Sequence, residues 1–314
     1  MMATAVNDSV VINEVGPRDG LQSQGKTLTP RERLELIQRL VNTGLRHVEA
    51  GSFVSPKAVP QMAGTDEVFQ GLPSKDQVRY AALVPNMKGY ELAVAAGARV
   101  VNVVLSVTET MNYENIRRTV DESATDFEGI LERASAEGVA AQAYLAVAFE
   151  CPFEGPVNPE VVRHYADRMT AAGAEKIIIA DTIGAANPKG VQAVLEAVGA
   201  VVPVSRIACH FHDTRGMALA NVLASLNYGV REFDASIGGL GGCPFSPGAT
   251  GNVATEDVAQ MLEAMGYDTG IDPLALVPVV RHAQALTGTE LGGKSFRWLA
   301  RQYDGQQGGE PNGC

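Results

Sequence analysis

Short runs rich in β-branched and aliphatic residues recur along the chain, each followed by a longer stretch with apolar positions every three to four residues. Eight such runs predict strands: Val10–Val15, His47–Ala50, Val78–Val84, Val100–Leu105, Ala140–Val147, Lys176–Ala180, Ser205–Cys209 and Glu232–Ser236. Between them, Pro30–Thr43 places Leu34, Ile37, Leu40 and Val41 on one helical face, and Asp121–Glu137 has the same period. Gly44, Gly97, Gly138, Gly173 and Gly229 each stand close before a predicted strand, where glycine ends a helix in the left-handed conformation. Eight strand–helix units repeating every ~25–40 residues predict an α/β fold, a closed (β/α)₈ TIM barrel. An open doubly wound sheet is the alternative topology. A glycine-rich loop follows the last strand, Gly238–Gly251, and then extra C-terminal helices from Ala254 to about Gln302. Residues 1–304 are expected to form one catalytic domain, and the polar, glycine-rich 305–314 a disordered tail.

Composition narrows the partners. Of 314 residues, 46% are hydrophobic and 19% charged, which suffices for a large core. The net charge is −11, and there is no basic run, so nucleic acid and an anionic membrane are not expected partners. No apolar run approaches the ~18 residues of a transmembrane helix. The start, Met1–Ser9, lacks a signal-peptide pattern, and four scattered cysteines do not make a disulfide framework; a cytoplasmic location is expected.

A parallel barrel carries its active site at the C-terminal ends of its strands. Polar residues collect there: Glu14, Arg18 and Asp19 at or just after the first strand, Glu49 ending the second, Tyr144 in the fifth, Asp181 after the sixth, His210, His212 and Asp213 after the seventh, Cys243 and Asn252 in the last loop. In His210-Phe211-His212, residues two apart on a strand point the same way, so two imidazoles can face one ion. Two hydrogen-bonded histidines are the plainer explanation, but Asp19 and Asn252 on the same rim complete a mixed nitrogen and oxygen set. Such a set suits Mg²⁺ or Mn²⁺ better than structural zinc. Arg18 beside Asp19 is either a solvated pair or a fixed cation for a developing oxyanion. Glu49 could pair with Arg18. Asp181 could orient a histidine, act as a base, or simply cap a helix. Cys243, among glycines, is a candidate acid or base.

Several of these segments together resemble one family. Glu14-Val-Gly-Pro-Arg-Asp-Gly-Leu-Gln22, Ser52-Phe-Val-Ser-Pro-Lys57, Asp181-Thr-Ile-Gly184, His210-Phe-His-Asp-Thr214, Gly239-Leu-Gly-Gly-Cys-Pro244 and Gly251-Asn252 are similar to the 3-hydroxy-3-methylglutaryl-CoA (HMG-CoA) lyases, in order from about Val11 to Gly288. The resemblance implies a metal-dependent barrel that splits a 3-hydroxyacyl-CoA, with Asp19, His210, His212 and Asn252 as ligands of Mg²⁺ or Mn²⁺. It implies that Arg18 stabilises an enolate, that Glu49 and Asp181 support proton transfer together with His210, and that Cys243 lies on a catalytic loop. Gln22, Tyr144, Thr182, Lys57, Asn86 and Arg215 are the expected substrate contacts, and a homodimer would be typical. Three departures lie near the expected site: Arg215 in place of tyrosine, Ala180 in place of glycine, and Ala148-Phe149-Glu150 in place of Ala-Leu-Gly. HMG-CoA is the expected substrate, with citramalyl-CoA or a longer 3-alkyl-3-hydroxyglutaryl-CoA as the nearest rivals. A Claisen-type synthase and a silent metal-binding barrel are more distant ones.

Overall fold

The computed structural model describes residues 8–74, 76–242 and 251–308. Eight parallel strands close into a barrel: β1 (Val11–Glu14), β2 (His47–Ser52), β3 (Arg79–Leu83), β4 (Val100–Ser106), β5 (Ala140–Ala146), β6 (Lys176–Asp181), β7 (Ile207–Phe211) and β8 (Glu232–Ala235). Each strand pairs with its sequence neighbours, and β8 closes on β1 through Val11 opposite Glu232 and Glu14 opposite Ala235. The barrel and its eight strands are those the hydrophobic pattern predicts. The open-sheet alternative is excluded by this closure.

The outer layer comprises α1 (Pro30–Asn42), α2 (Thr65–Gly71), α3 (Met87–Ala95), α4 (Glu109–Ile116), α5 (Val120–Glu137), α6 (Pro159–Ala171), α7 (Pro188–Gly199) and α8 (Ala218–Tyr228). Helix starts are encoded locally: Thr29 with Glu32 and Thr119 with Glu122 form capping boxes for α1 and α5. The predicted terminal glycines all take positive φ, from 69° at Gly138 to 117° at Gly229. After β8 come α9 (Thr255–Ala264), α10 (Pro273–Thr287) and α11 (Phe296–Gly308). The last helix continues past residue 305, where the tail is expected to begin. Among the described residues no helix is long and apolar enough to cross a membrane.

Three local differences from the sequence expectation matter for the site. Strand β7 starts two residues later than predicted because Val204–Arg206 forms a 3₁₀ turn, and it therefore extends through His210. Strand β2 runs on to Ser52 across a bulge: Glu49 pairs with Ala81 and Gly51 with Ala82, leaving Ala50 without a counterpart. A small hairpin, Glu150–Cys151 with Gly155–Pro156, stands after β5. The apolar core fills the layer between strands and helices, while Tyr144, Ile178, Ala180 and Ala208 form a separate small cluster.

Candidate active site and metal centre

Behind β1, Gly16–Gly20 forms a single π-helical turn, in which the Gly20 amide donates to the Val15 carbonyl at 3.2 Å. Such turns often occur at functional sites. Here the turn buries Arg18 and sets Asp19 beside the end of β7. At the end of β7 and just past it, His210 and His212 present their rings on one side, 5.1 Å apart between centroids. Asp19, His210 and His212 each offer a ligand atom within 4.8 Å of the others.

Asn252 reaches the same place from the far end of the chain. The Val253 amide donates to the Phe211 carbonyl, and Asn252 bridges His212 in antiparallel fashion, so 251–254 docks onto the top of β7. The turn is glycine-dependent: a Cβ on Gly251 would lie 2.1 Å from the Gly239 carbonyl oxygen. Asn252 Nδ2 donates to Asp19 Oδ2 at 2.8 Å and to the Leu240 carbonyl at 3.2 Å. Its Oδ1 is buried with no partner among the described residues, as is His212 Nδ1. An orphaned buried amide oxygen beside a carboxylate and two imidazoles calls for an electrophile. The set fits one divalent cation with oxygen and nitrogen ligands.

The protonation states of Asp19 and His212 agree with that fit. Burial would raise the Asp19 carboxyl, but Arg18 and the two histidines hold it well below the usual carboxylate range. Burial and the neighbouring His210 push His212 down to about 4, so its ring is neutral and its lone pair available. Burial is the largest influence on His210 and works to lower it, but the hydrogen bond with Asp234 and the charges of Asp234 and Asp19 together raise it.

Arg18 is the fixed cation of the site. Its Nε donates to Glu49 Oε2 at 2.5 Å and its Nη1 to Asp19 Oδ1 at 2.6 Å. Glu49 is fully buried and takes a second bond from Asn102 Nδ2 at 2.8 Å. Both carboxylates therefore bind one guanidinium, which leaves it little freedom to reorient.

Asp234 completes the floor. Its Oδ2 accepts the Tyr144 hydroxyl at 2.8 Å and lies 3.0 Å from His210 Nδ1, while Oδ1 accepts from Asn13 Nδ2 at 2.8 Å. Asp234, Asn13 and Asn102 are not among the residues that the sequence motifs single out. The available signal was alternation: Asp234 lies two residues before Ser236 on the inward side of β8, an acid between the apolar Phe233 and Ala235.

The remaining candidates divide. Asp181 ends β6, buried, with its two oxygens accepting the Ala185 and Ala186 amides at 2.8 and 3.0 Å. Burial lifts its carboxyl to about 6 despite those bonds. Thr182 Oγ1 accepts the Val147 amide at 2.9 Å. Asn86 stands after β3 but caps α3, accepting from the Gly89 amide at 3.0 Å. Gln22 is half-buried behind the π turn, and Lys57 is exposed. Arg215 pairs with Glu150 at 2.7 Å, joining two of the departures noted in the sequence, and its charge works against the burial-driven rise of Asp181. Cys243 lies outside the described residues.

A family model described as HMGL-like matches residues 9–281. The hydroxymethylglutaryl-CoA lyase of Pseudomonas mevalonii is 48% identical, with 90% of this chain and 93% of that protein covered. The (R)-citramalyl-CoA lyase of Chloroflexus aurantiacus is 41% identical over 90% and 93%. The solved structure of an HMG-CoA lyase from Acinetobacter baumannii, in complex with coenzyme A and 3-methylmalate, superposes with a TM-score of 0.89 at 40% identity, covering 94% of this chain and 96% of that one.

Proposed function

The chain belongs to the HMGL-like family of carbon–carbon lyases, and we propose that it cleaves 3-hydroxy-3-methylglutaryl-CoA to acetyl-CoA and acetoacetate with the help of Mg²⁺ or Mn²⁺. The observation that carries this reading is the meeting of Asp19, His210, His212 and the orphaned Asn252 Oδ1 within reach of Arg18.

When bound, the cation acidifies the 3-hydroxyl and orients the scissile bond. The protein's groups do the rest. Asp181, whose carboxyl is lifted to about 6, or His210 takes the C3 hydroxyl proton. The C2–C3 bond then breaks, C3 becomes the ketone of acetoacetate, and the electron pair passes to C2 and the thioester oxygen. Arg18, locked between Glu49 and Asp19, meets the enolate charge with donors that need no reorganisation. Cys243 is our candidate to protonate C2, giving acetyl-CoA.

Kinship with a citramalyl-CoA lyase leaves the same chemistry open on a related thioester. A panel of 3-hydroxyacyl-CoA substrates, assayed for acetyl-CoA release with Mg²⁺, with Mn²⁺ and after chelation, tests both levels. HMG-CoA should be cleaved best, and chelation should abolish turnover. Metal-independent cleavage, or no cleavage of any thioester, would reject the reading.

A further inference from the structure

Arg33 on α1 has no solvent exposure, and among the described residues no carboxylate pairs with it. Its Nη1 donates to the Ala63 carbonyl at 3.2 Å; its Nη2 donates to the Ala50 carbonyl and to Thr65 Oγ1, each at 3.2 Å. Its Nε has no partner among the described residues. A buried cation without an anion is costly, and burial brings this one down to about 10. A hydrophobic side chain would fill the same helix position without that cost.

Ala50 is the bulged residue of β2. A bulge bends its strand and re-aims the adjacent side chain. That side chain is Glu49, which holds Arg18 and is braced by Asn102. Gly51 leaves room for the arrangement, since a Cβ there would stand 2.6 Å from Arg33 Nη2.

We propose that Arg33 is a positioning residue for the lyase step: from the helix layer it pins the β2 bulge through the Ala50 carbonyl, and so fixes the Glu49–Arg18 pair within the barrel. It acts through backbone and touches no substrate. The inference rests on the lyase reading above.

The experiment compares wild type, Arg33→Met, Arg33→Lys and Leu36→Ala on HMG-CoA with Mn²⁺, alongside thermal melts. Leu36 is fully buried on the same helix, so Leu36→Ala reports lost packing alone. At a temperature where all are folded, Arg33→Met should lose about 30-fold or more in kcat with KM within about threefold, Arg33→Lys should recover about a third or more of the wild-type rate, and Leu36→Ala should keep kcat within about threefold. A wild-type kcat in Arg33→Met, or an equal loss in Leu36→Ala, would overturn the proposal. Should Arg33→Met not fold, Gly51→Ala crowds the same guanidinium from the strand side, and an unchanged kcat there would overturn it as well. Failure of the wild type to cleave any 3-hydroxyacyl-CoA would instead strike at the lyase reading itself.

Discussion

His210 Nδ1 stands 3.0 Å from Asp234 Oδ2, the same oxygen that receives the Tyr144 hydroxyl. With Nδ1 engaged, Nε2 is the atom left to face a cation, so Asp234 selects the tautomer as well as the ring angle. Asp234→Asn would offer an amide N–H to Nδ1 and favour the proton on Nε2. Its affinity for Mn²⁺ should fall about 10- to 100-fold, measured by titration calorimetry. Undiminished affinity would show that the carboxylate does not orient the ring.

Arg18→Lys separates binding from chemistry. Lysine keeps the charge but cannot hold Glu49 and Asp19 with a planar fork. We expect Mn²⁺ binding within a few-fold of wild type and a kcat lower by about 100- to 1000-fold on HMG-CoA. Steady-state kinetics that show a raised KM at constant kcat would assign Arg18 to ground-state binding instead.

Glu14 supplies a pH signature. It accepts the Gly16 and Ile237 amides and the Thr255 hydroxyl, yet burial lifts its carboxyl to about 7 from 4.5. A folded pKa above the unfolded one means that the folded state binds more protons between these values, so this group's contribution to stability falls as pH rises from 4.5 to 7. Glutamine carries no such charge. Glu14→Gln should therefore gain on wild type between pH 5 and pH 8 by up to about 3 kcal/mol in urea unfolding. An offset independent of pH would contradict the assignment.

Much of this was readable from the sequence, for reasons that differ by residue. The barrel follows from local signals, because the strand runs and the glycines before them repeat with little help from long-range contacts. Asp19, His210 and His212 were recognisable because each sits at a strand end, where a TIM barrel concentrates polar groups. Asp234 and Asn102 are harder to see: each is a polar residue inside a strand with no motif around it, and its value appears only when the barrel closes and the inward faces meet. The Arg215–Glu150 pair joins the turn after His212 to the hairpin after β5 across 65 positions, and no periodicity predicts such a pairing.

Val147 shows the same limit in the backbone. Its φ of 54° is an outlier for a β-branched residue, placed directly after β5. The Thr182 hydroxyl holds its amide in place. Thr182→Val should lower stability by about 1 kcal/mol or more, and Val147→Gly, which also removes a fully buried side chain, should cost less in the Thr182→Val background than in wild type, because glycine takes that φ without strain. Thermal melts of the two single variants and the double variant measure the coupling; strict additivity would mean that the hydroxyl does not relieve the strain.

The central claim is that Asp19, His210, His212 and Asn252 bind a single divalent cation. Titration of the chelator-treated protein with Mn²⁺, followed by electron paramagnetic resonance, tests it directly. One ion per chain should bind to the wild type, with the site lost in Asp19→Ala and in His212→Ala while both variants remain folded by circular dichroism. Wild-type stoichiometry and affinity in either variant would contradict it.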